Sequence, residues 1–119
     1  MIVGIGCDIV DVSRIQKAII SHGDRFLKKY FTPKELENAP KLKKLRFGYF
    51  AKRYAAKEAL SKAIGTGIGE GVEFLEIEVL NEPSGKPYIN CKKLAKFKVH
   101  LSLTDEKKHA VAFVLIEKE

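Results

Sequence analysis

Glu58 lies in the stretch Ala55-Ala56-Lys57-Glu58-Ala59-Leu60-Ser61-Lys62-Ala63, a carboxylate among small apolar residues, one helical turn ahead of a lysine and just before Gly65-Thr66-Gly67. Residues four apart share a helix face, so Tyr54, Glu58 and Lys62 form one row, and the alanines around them leave it room for something bulky. Asp8 is as oddly placed, inside the apolar run Ile2-Val3-Gly4-Ile5-Gly6-Cys7-Asp8-Ile9-Val10. An i,i+4 pair with Lys62, worth about 0.2–0.5 kcal/mol, would account for Glu58, and a helix cap for Asp8. Neither explains the apolar surroundings of Asp8 or the glycines beside both acids. A hard cation does: Mg²⁺ is held by one or two carboxylates, keeps several waters and takes its remaining ligands from substrate phosphates. Asp8 and Glu58 are therefore candidate ligands of a single metal.

The other suggestive groups say less by residue type. Gly65-Thr66-Gly67-Ile68-Gly69 looks like a phosphate loop, yet it follows a helix C-terminus, where the dipole is negative and repels anions. A phosphate held there leans on Lys62 and on loop N–H groups. Ser84-Gly85-Lys86-Pro87 is a turn by composition. His100 and Ser102 share one face of a strand whose other face is apolar, and His22 and His109 fall on surface positions. No Ser/His/Asp order or spacing resembles a triad, which disfavours a hydrolase.

Bringing Asp8 to Glu58 requires a strand and a long helix. Ile2 to Val10 reads as the strand, with Gly4 and Gly6 marking the close approach of another backbone or a ligand. Ser13 is expected to cap a helix running to about His22, with Ile15, Ala18 and Ile19 inward and Arg14 and Lys17 outward. A further helical turn covers Phe26 to Tyr30. Thr32-Pro33-Lys34-Glu35 is a helix start, with Thr as cap, Pro first and Glu third, and Pro40 closes that element. From about Leu42 to Ile64, the positions Phe47, Phe50, Ala51, Tyr54, Ala55, Ala59 and Ala63 keep helical spacing, and Gly65 and Gly67 stop the helix. The period then changes. Alternation over Glu73 to Leu80 predicts a strand, Asn81 to Pro87 a turn and Tyr88 to Asn90 a returning strand, which together make a hairpin. A helical turn at Cys91 to Ala95, a strand through Val99, Leu101 and Leu103, a turn at Asp105 to Lys108 and a last strand, Ala110 to Ile116, complete the chain. One strand, a block of helices and a run of antiparallel strands make an α+β fold, a single domain over residues 1–119 with the long helix packed on the sheet.

At 119 residues the chain is long enough for one core and too short for two. Its formal charge of +7 points to an acidic partner: nucleic acid, an anionic membrane surface, an acidic protein or a phosphorylated ligand. Lys41, Lys43, Lys44, Arg46, Lys52 and Arg53 on the long helix would serve a nucleic-acid-binding domain, but that reading leaves Asp8 and Glu58 unexplained. The strands also lack the exposed aromatics that stack on bases, so no nucleic-acid partner is expected. Cys7 and Cys91 are far apart and outside any CxxC, so neither a disulfide framework nor a zinc site is expected. No apolar run approaches the ~20 residues needed to span a membrane, and the N-terminus enters an apolar strand without a basic leader. A cytoplasmic protein without membrane insertion is the expectation.

Taken together, Gly6-Cys7-Asp8-Ile9-Val10, Phe31-Thr32-Pro33-Lys34-Glu35, the run from Arg53 to Gly67, Pro83-Ser84-Gly85-Lys86-Pro87 and His100-Leu101-Ser102-Leu103-Thr104, in that order, resemble the holo-acyl-carrier-protein synthases. The resemblance implies a 4'-phosphopantetheinyl transferase fold. The implied activity is transfer of 4'-phosphopantetheine from coenzyme A to a serine of apo-acyl carrier protein, releasing adenosine 3',5'-bisphosphate and supporting fatty acid biosynthesis. It implies Mg²⁺ on Asp8 and Glu58, with Lys62 stabilising the leaving group. Gly65, Thr66, Ser84, Gly85, Lys86 and Pro87 would line the nucleotide end of the coenzyme. Arg14 matches a position the family uses for its carrier, and with Lys17 and Arg25 it would form a face for an acidic helix. Where the family usually ends its penultimate strand with Ser or Thr followed by His, this chain has Thr104-Asp105. In Ala110 to Ile116 both alternating faces are apolar, whereas an antiparallel sheet in a small domain ordinarily shows one face to water. Three copies packing their sheets together would bury the second face. That agrees with the family's trimeric form and would let the Asp8–Glu58 site of one subunit meet the Ser84–Pro87 turn of a neighbour.

Overall fold

A computed structural model describes residues 1–118. Strand β1 (Ile2–Asp11) leads into helices α1 (Val12–His22), α2 (Asp24–Tyr30), α3 (Pro33–Glu37) and α4 (Lys43–Ile64). Strands β2 (Glu78–Asn81), β3 (Pro87–Asn90), β4 (Lys98–Asp105) and β5 (His109–Glu117) follow, with 3-10 turns at Phe74–Glu76 and Lys92–Leu94. The strands form an antiparallel sheet in the order β1-β5-β4 and a separate β2–β3 hairpin. This is the expected α+β architecture, with α4 laid across the sheet.

The core explains the arrangement. Val10, Ala110, Ala112, Val114 and Ile116 of the sheet and Ala51, Ala55, Ala56, Ala59, Leu60 and Ala63 of α4 are all buried. A fully buried Val, Leu or Ile contributes about 1.5–3 kcal/mol, while the alanines contribute mainly proximity. Proximity is completed from the strand side: a Cβ at Gly4 would overlap the carbonyl oxygen of Ala63, and one at Gly6 that of Ala59. The other face of β1 and β5 stays apolar and open, with Val3, Ile5, Ile9 and Phe113 exposed by 46%, 60%, 63% and 43%, while β4 presents His100, Ser102 and Thr104 beside it.

Two expectations need correction. Asp11 caps α1 in place of Ser13: its Oδ1 accepts from the Ser13 N–H at 2.9 Å and from the Ser13 hydroxyl at 2.8 Å. β1 runs straight into the helix, and a cap residue must itself be extended. The strand expected over Glu73 to Leu80 begins only at Glu78, because the Glu73 N–H donates to the Glu76 carboxylate at 2.9 Å and closes a 3-10 turn. Local side-chain bonding there outcompetes the strand that alternation suggests.

Candidate active site

α4 has no side-chain cap and no acid in its first turn. Such a helix persists by burial, and its buried alanine stripe is what lets β1 come close. That approach carries Asp8 to Lys62, whose Nζ donates to the Asp8 carboxylate at 3.0 Å and to the Cys7 carbonyl at 3.0 Å. Glu58 sits one turn earlier, half-buried, and accepts no side-chain hydrogen bond among the described residues. Its carboxyl is pushed above the ordinary range, first by burial and then by the negative charge of Asp8, with Lys62 and Arg14 opposing. Lys62 is pushed up by its hydrogen bond to Asp8 and by that carboxylate's charge.

The surroundings are aromatic on one side and glycine-rich on the other. Tyr54 stacks on Phe74 at 5.4 Å and meets Tyr30 edge-on at 5.7 Å. The Arg14 guanidinium lies 5.8 Å from the Tyr54 ring centre. Burial, then Glu58, pushes the Tyr54 hydroxyl up. Beyond the C-cap Gly65, whose N–H returns to Ser61 at 3.0 Å, a loop passes to Phe74. Between loop and rings lies a cleft of about 460 Å³ lined by Lys29, Tyr30, Ile68, Glu73, Phe74 and Leu75.

Asp8, Glu58 and Lys62 are thus brought together, with Gly65 and Thr66 following on the same helix end. The Ser84–Pro87 turn is held elsewhere. Asn81 Nδ2 donates to the Gly85 carbonyl at 2.8 Å and Asn81 Oδ1 accepts from Arg53, so the turn is tied to a different part of α4. Asp105 lies 3.6 Å from Lys52. Arg14 and Lys17 are exposed on α1, and Arg25 is on α2, where it lines a cleft of about 240 Å³ with His22, Phe26, Lys29 and Tyr30. The nucleic-acid alternative loses Arg53, which is 4% exposed and lies over the Tyr49 ring.

Two carboxylates this close, Glu58 without a side-chain hydrogen-bond donor among the described residues and pushed up by burial and then by the charge of Asp8, suit a divalent cation. No group of three or more His, Cys, Asp or Glu gathers among the described residues. A protein-only cage is therefore missing, which matches a hard cation that keeps waters and takes substrate phosphates. Sequence reasoning missed the ion pair of Lys57 with Glu35, 2.7 Å apart, and the Arg53–Asn81 tie. The only signal was Arg53 and Lys57 at helical spacing on a face otherwise apolar.

Comparison with known proteins gives a consistent result. The family model described as the 4'-phosphopantetheinyl transferase superfamily matches residues 4–114. The chain is 42% identical to the holo-[acyl-carrier-protein] synthase of Bartonella bacilliformis, over 98% of this chain and 96% of that protein. It is 45% identical to the enzyme of that name from Wolbachia pipientis subsp. Culex pipiens, over 98% of each. Its fold matches, with a TM-score of 0.91, the crystal structure of a holo-(acyl-carrier-protein) synthase from Bacillus anthracis in complex with CoA (3',5'-ADP), at 44% identity over 100% of this chain and 99% of that one. Among the described residues no helix is long and apolar enough to cross a membrane.

Proposed function

Because the chain belongs to the 4'-phosphopantetheinyl transferase superfamily, we infer that it transfers 4'-phosphopantetheine from coenzyme A to a serine of apo-acyl carrier protein, giving the holo carrier and adenosine 3',5'-bisphosphate. The observation that carries this reading is the meeting of Asp8, Glu58 and Lys62 at the β1–α4 contact, with Lys62 Nζ 3.0 Å from Asp8. Asp8 and Glu58 would hold Mg²⁺, which supplies charge neutralisation to the pyrophosphate. The carrier serine oxygen bonds to the phosphorus on the pantetheine side, the bond from that phosphorus to the bridging oxygen breaks, and the nucleotide leaves with the electron pair. Lys62, half exposed beside Asp8, steadies the negative charge that grows on the leaving phosphate. The serine proton passes to Glu58 or to a water beside it.

The cleft between the glycine loop and Phe74 suits the pantetheine arm. Gly65 and Thr66, and the Ser84-Gly85-Lys86-Pro87 turn, take the nucleotide end, while Arg14, Lys17 and Arg25 receive the acidic carrier. We assign the Ser84–Pro87 turn to the site of a neighbouring copy. The exposed apolar sheet face supports this, since three copies burying Val3, Ile5, Ile9 and Phe113 would make a homotrimer with sites between subunits. A cytoplasmic setting, where Cys7 and Cys91 stay unpaired, belongs to the same reading. Mass spectrometry of apo-acyl carrier protein incubated with the chain, coenzyme A and Mg²⁺ tests it: a gain of one phosphopantetheine is expected, and an unchanged carrier mass refutes the assignment.

A further inference from the structure

We propose that the buried Lys57–Glu35 pair is a positioning device that sets the width of the cleft lined by Tyr30 and Phe74, an inference that rests on the transferase reading above. Both side chains are 0% exposed. A lysine ammonium has three hydrogens to donate, and Lys57 Nζ has three acceptors: the Glu35 carboxylate at 2.7 Å, the Tyr30 carbonyl at 2.7 Å and the Phe74 carbonyl at 3.1 Å. Glu35 in turn accepts from the N–H groups of Thr32 and Val79, each at 2.8 Å. The residue next to Glu58 therefore gathers the end of α2, the start of α3, the 3-10 turn after the glycine loop and, through Glu35, strand β2.

The two carbonyls it holds belong to Tyr30 and Phe74, which both line the 460 Å³ cleft and whose rings meet edge-on at 4.7 Å. Stability alone does not call for this arrangement, since replacing a buried ion pair by apolar groups of like volume is often neutral or stabilising. Apolar groups cannot fix two carbonyls from separate segments at set distances. The loop between carries Gly65, Gly67 and Gly69 at positive φ, and glycines give up more backbone freedom on ordering than any other residue, so an anchor at the loop's far end helps to hold its course. Phe74 returns to α4 where Lys57 holds it. Lys57 and Glu35 touch no reacting atom; they act through the wall.

The test uses Lys57→Met and the double variant Lys57→Met with Glu35→Gln, which leaves no unpaired buried charge. Each is compared with the unaltered chain by hydrogen exchange and by steady-state transfer per folded molecule, below its melting temperature. Amides of residues 65–77 are expected to exchange at least tenfold faster while those of β1 and β5 keep their protection. kcat/KM for coenzyme A is expected to fall at least thirtyfold. The Mg²⁺ concentration giving half-maximal rate should stay within twofold, because Asp8 and Glu58 are untouched. Unchanged exchange at 65–77, or kinetics per folded molecule equal to those of the unaltered chain, overturns the proposal. Failure of both variants to fold also overturns it, by making the pair an element of global stability. An unaltered chain that transfers nothing refutes the transferase reading instead, and the exchange arm still judges the fixture.

Discussion

Glu58 and Asp8 oppose each other whenever no cation lies between them, and that sets what happens with pH. Glu58 is half-buried, and its proton affinity is raised above the unfolded value by burial and by Asp8. Its contribution to stability is thus complete below the unfolded pKa and is lost as pH rises through the higher folded one. Without metal, Glu58→Gln should melt at or above the temperature of the unaltered chain at pH 7. Mg²⁺ should raise the melting temperature of the unaltered chain at pH 7, do so less near pH 4.5 and leave the variant unmoved. Thermal scans in chelator and in Mg²⁺ read all three; a variant stabilised by Mg²⁺ as strongly as the parent removes Glu58 from the site. Transfer by Glu58→Gln or Asp8→Asn should fall about 1000-fold, or ~4 kcal/mol of transition-state stabilisation, with the fold intact. On the carrier face, Arg14→Glu should raise the KM for carrier about tenfold, weaken its salt dependence and change the KM for coenzyme A less than twofold. A rise in the coenzyme KM instead would assign Arg14 to the other substrate. Asp8 and Glu58 could be read in the sequence because a charge in an apolar run is conspicuous. Lys57 and Glu35 could not: their partnership spans a separation of 22, and Glu35 already had a complete explanation as the third residue of a capping box, which it also is.

At the scale of elements, the site depends on how closely a strand can lie against a helix. Gly6 faces the Ala59 carbonyl with no space for a side-chain atom, so Gly6→Ala must push β1 off α4 and take Asp8 with it. A loss of about 1–3 kcal/mol or more is expected, the range for overpacking a close-packed contact. The stabilisation by Mg²⁺ should disappear even where the variant still folds. Urea titration with and without Mg²⁺ measures both, and a Gly6→Ala protein that keeps its Mg²⁺ response would show that the contact does not position Asp8. The long helix and the first strand were legible because their periods persist over many residues. Glu73 to Leu80 was not, because a two-residue period over so short a stretch does not reveal that Glu73 and Glu76 bond to each other's backbone.

At the scale of the whole molecule, the alternation of β5 disclosed two apolar faces, and the structure assigns one to α4 and leaves the other open. Ile9 is 63% and Phe113 43% exposed there. The unaltered chain is expected to scatter light at three times its 13.4 kDa, and Phe113→Glu to run as a single chain with little transfer, since a carboxylate cannot be buried unpaired between sheets. A fully active species at 13.4 kDa would refute the assembly. What alternation could not disclose is neighbour order, for it says which way side chains point and nothing of which strand lies alongside. That order, β1-β5-β4, governs when the molecule can exist. β1 finds its sheet partner only in β5, at the other end of the described residues, so the sheet closes across nearly the whole described chain, a slow step compared with the folding of a helical bundle of this size. Until then the edge of β1 that faces β5 has its backbone N–H and C=O groups unpaired. The strand that carries Asp8 is thus steadied on its sheet side by the most distant pairing in the fold.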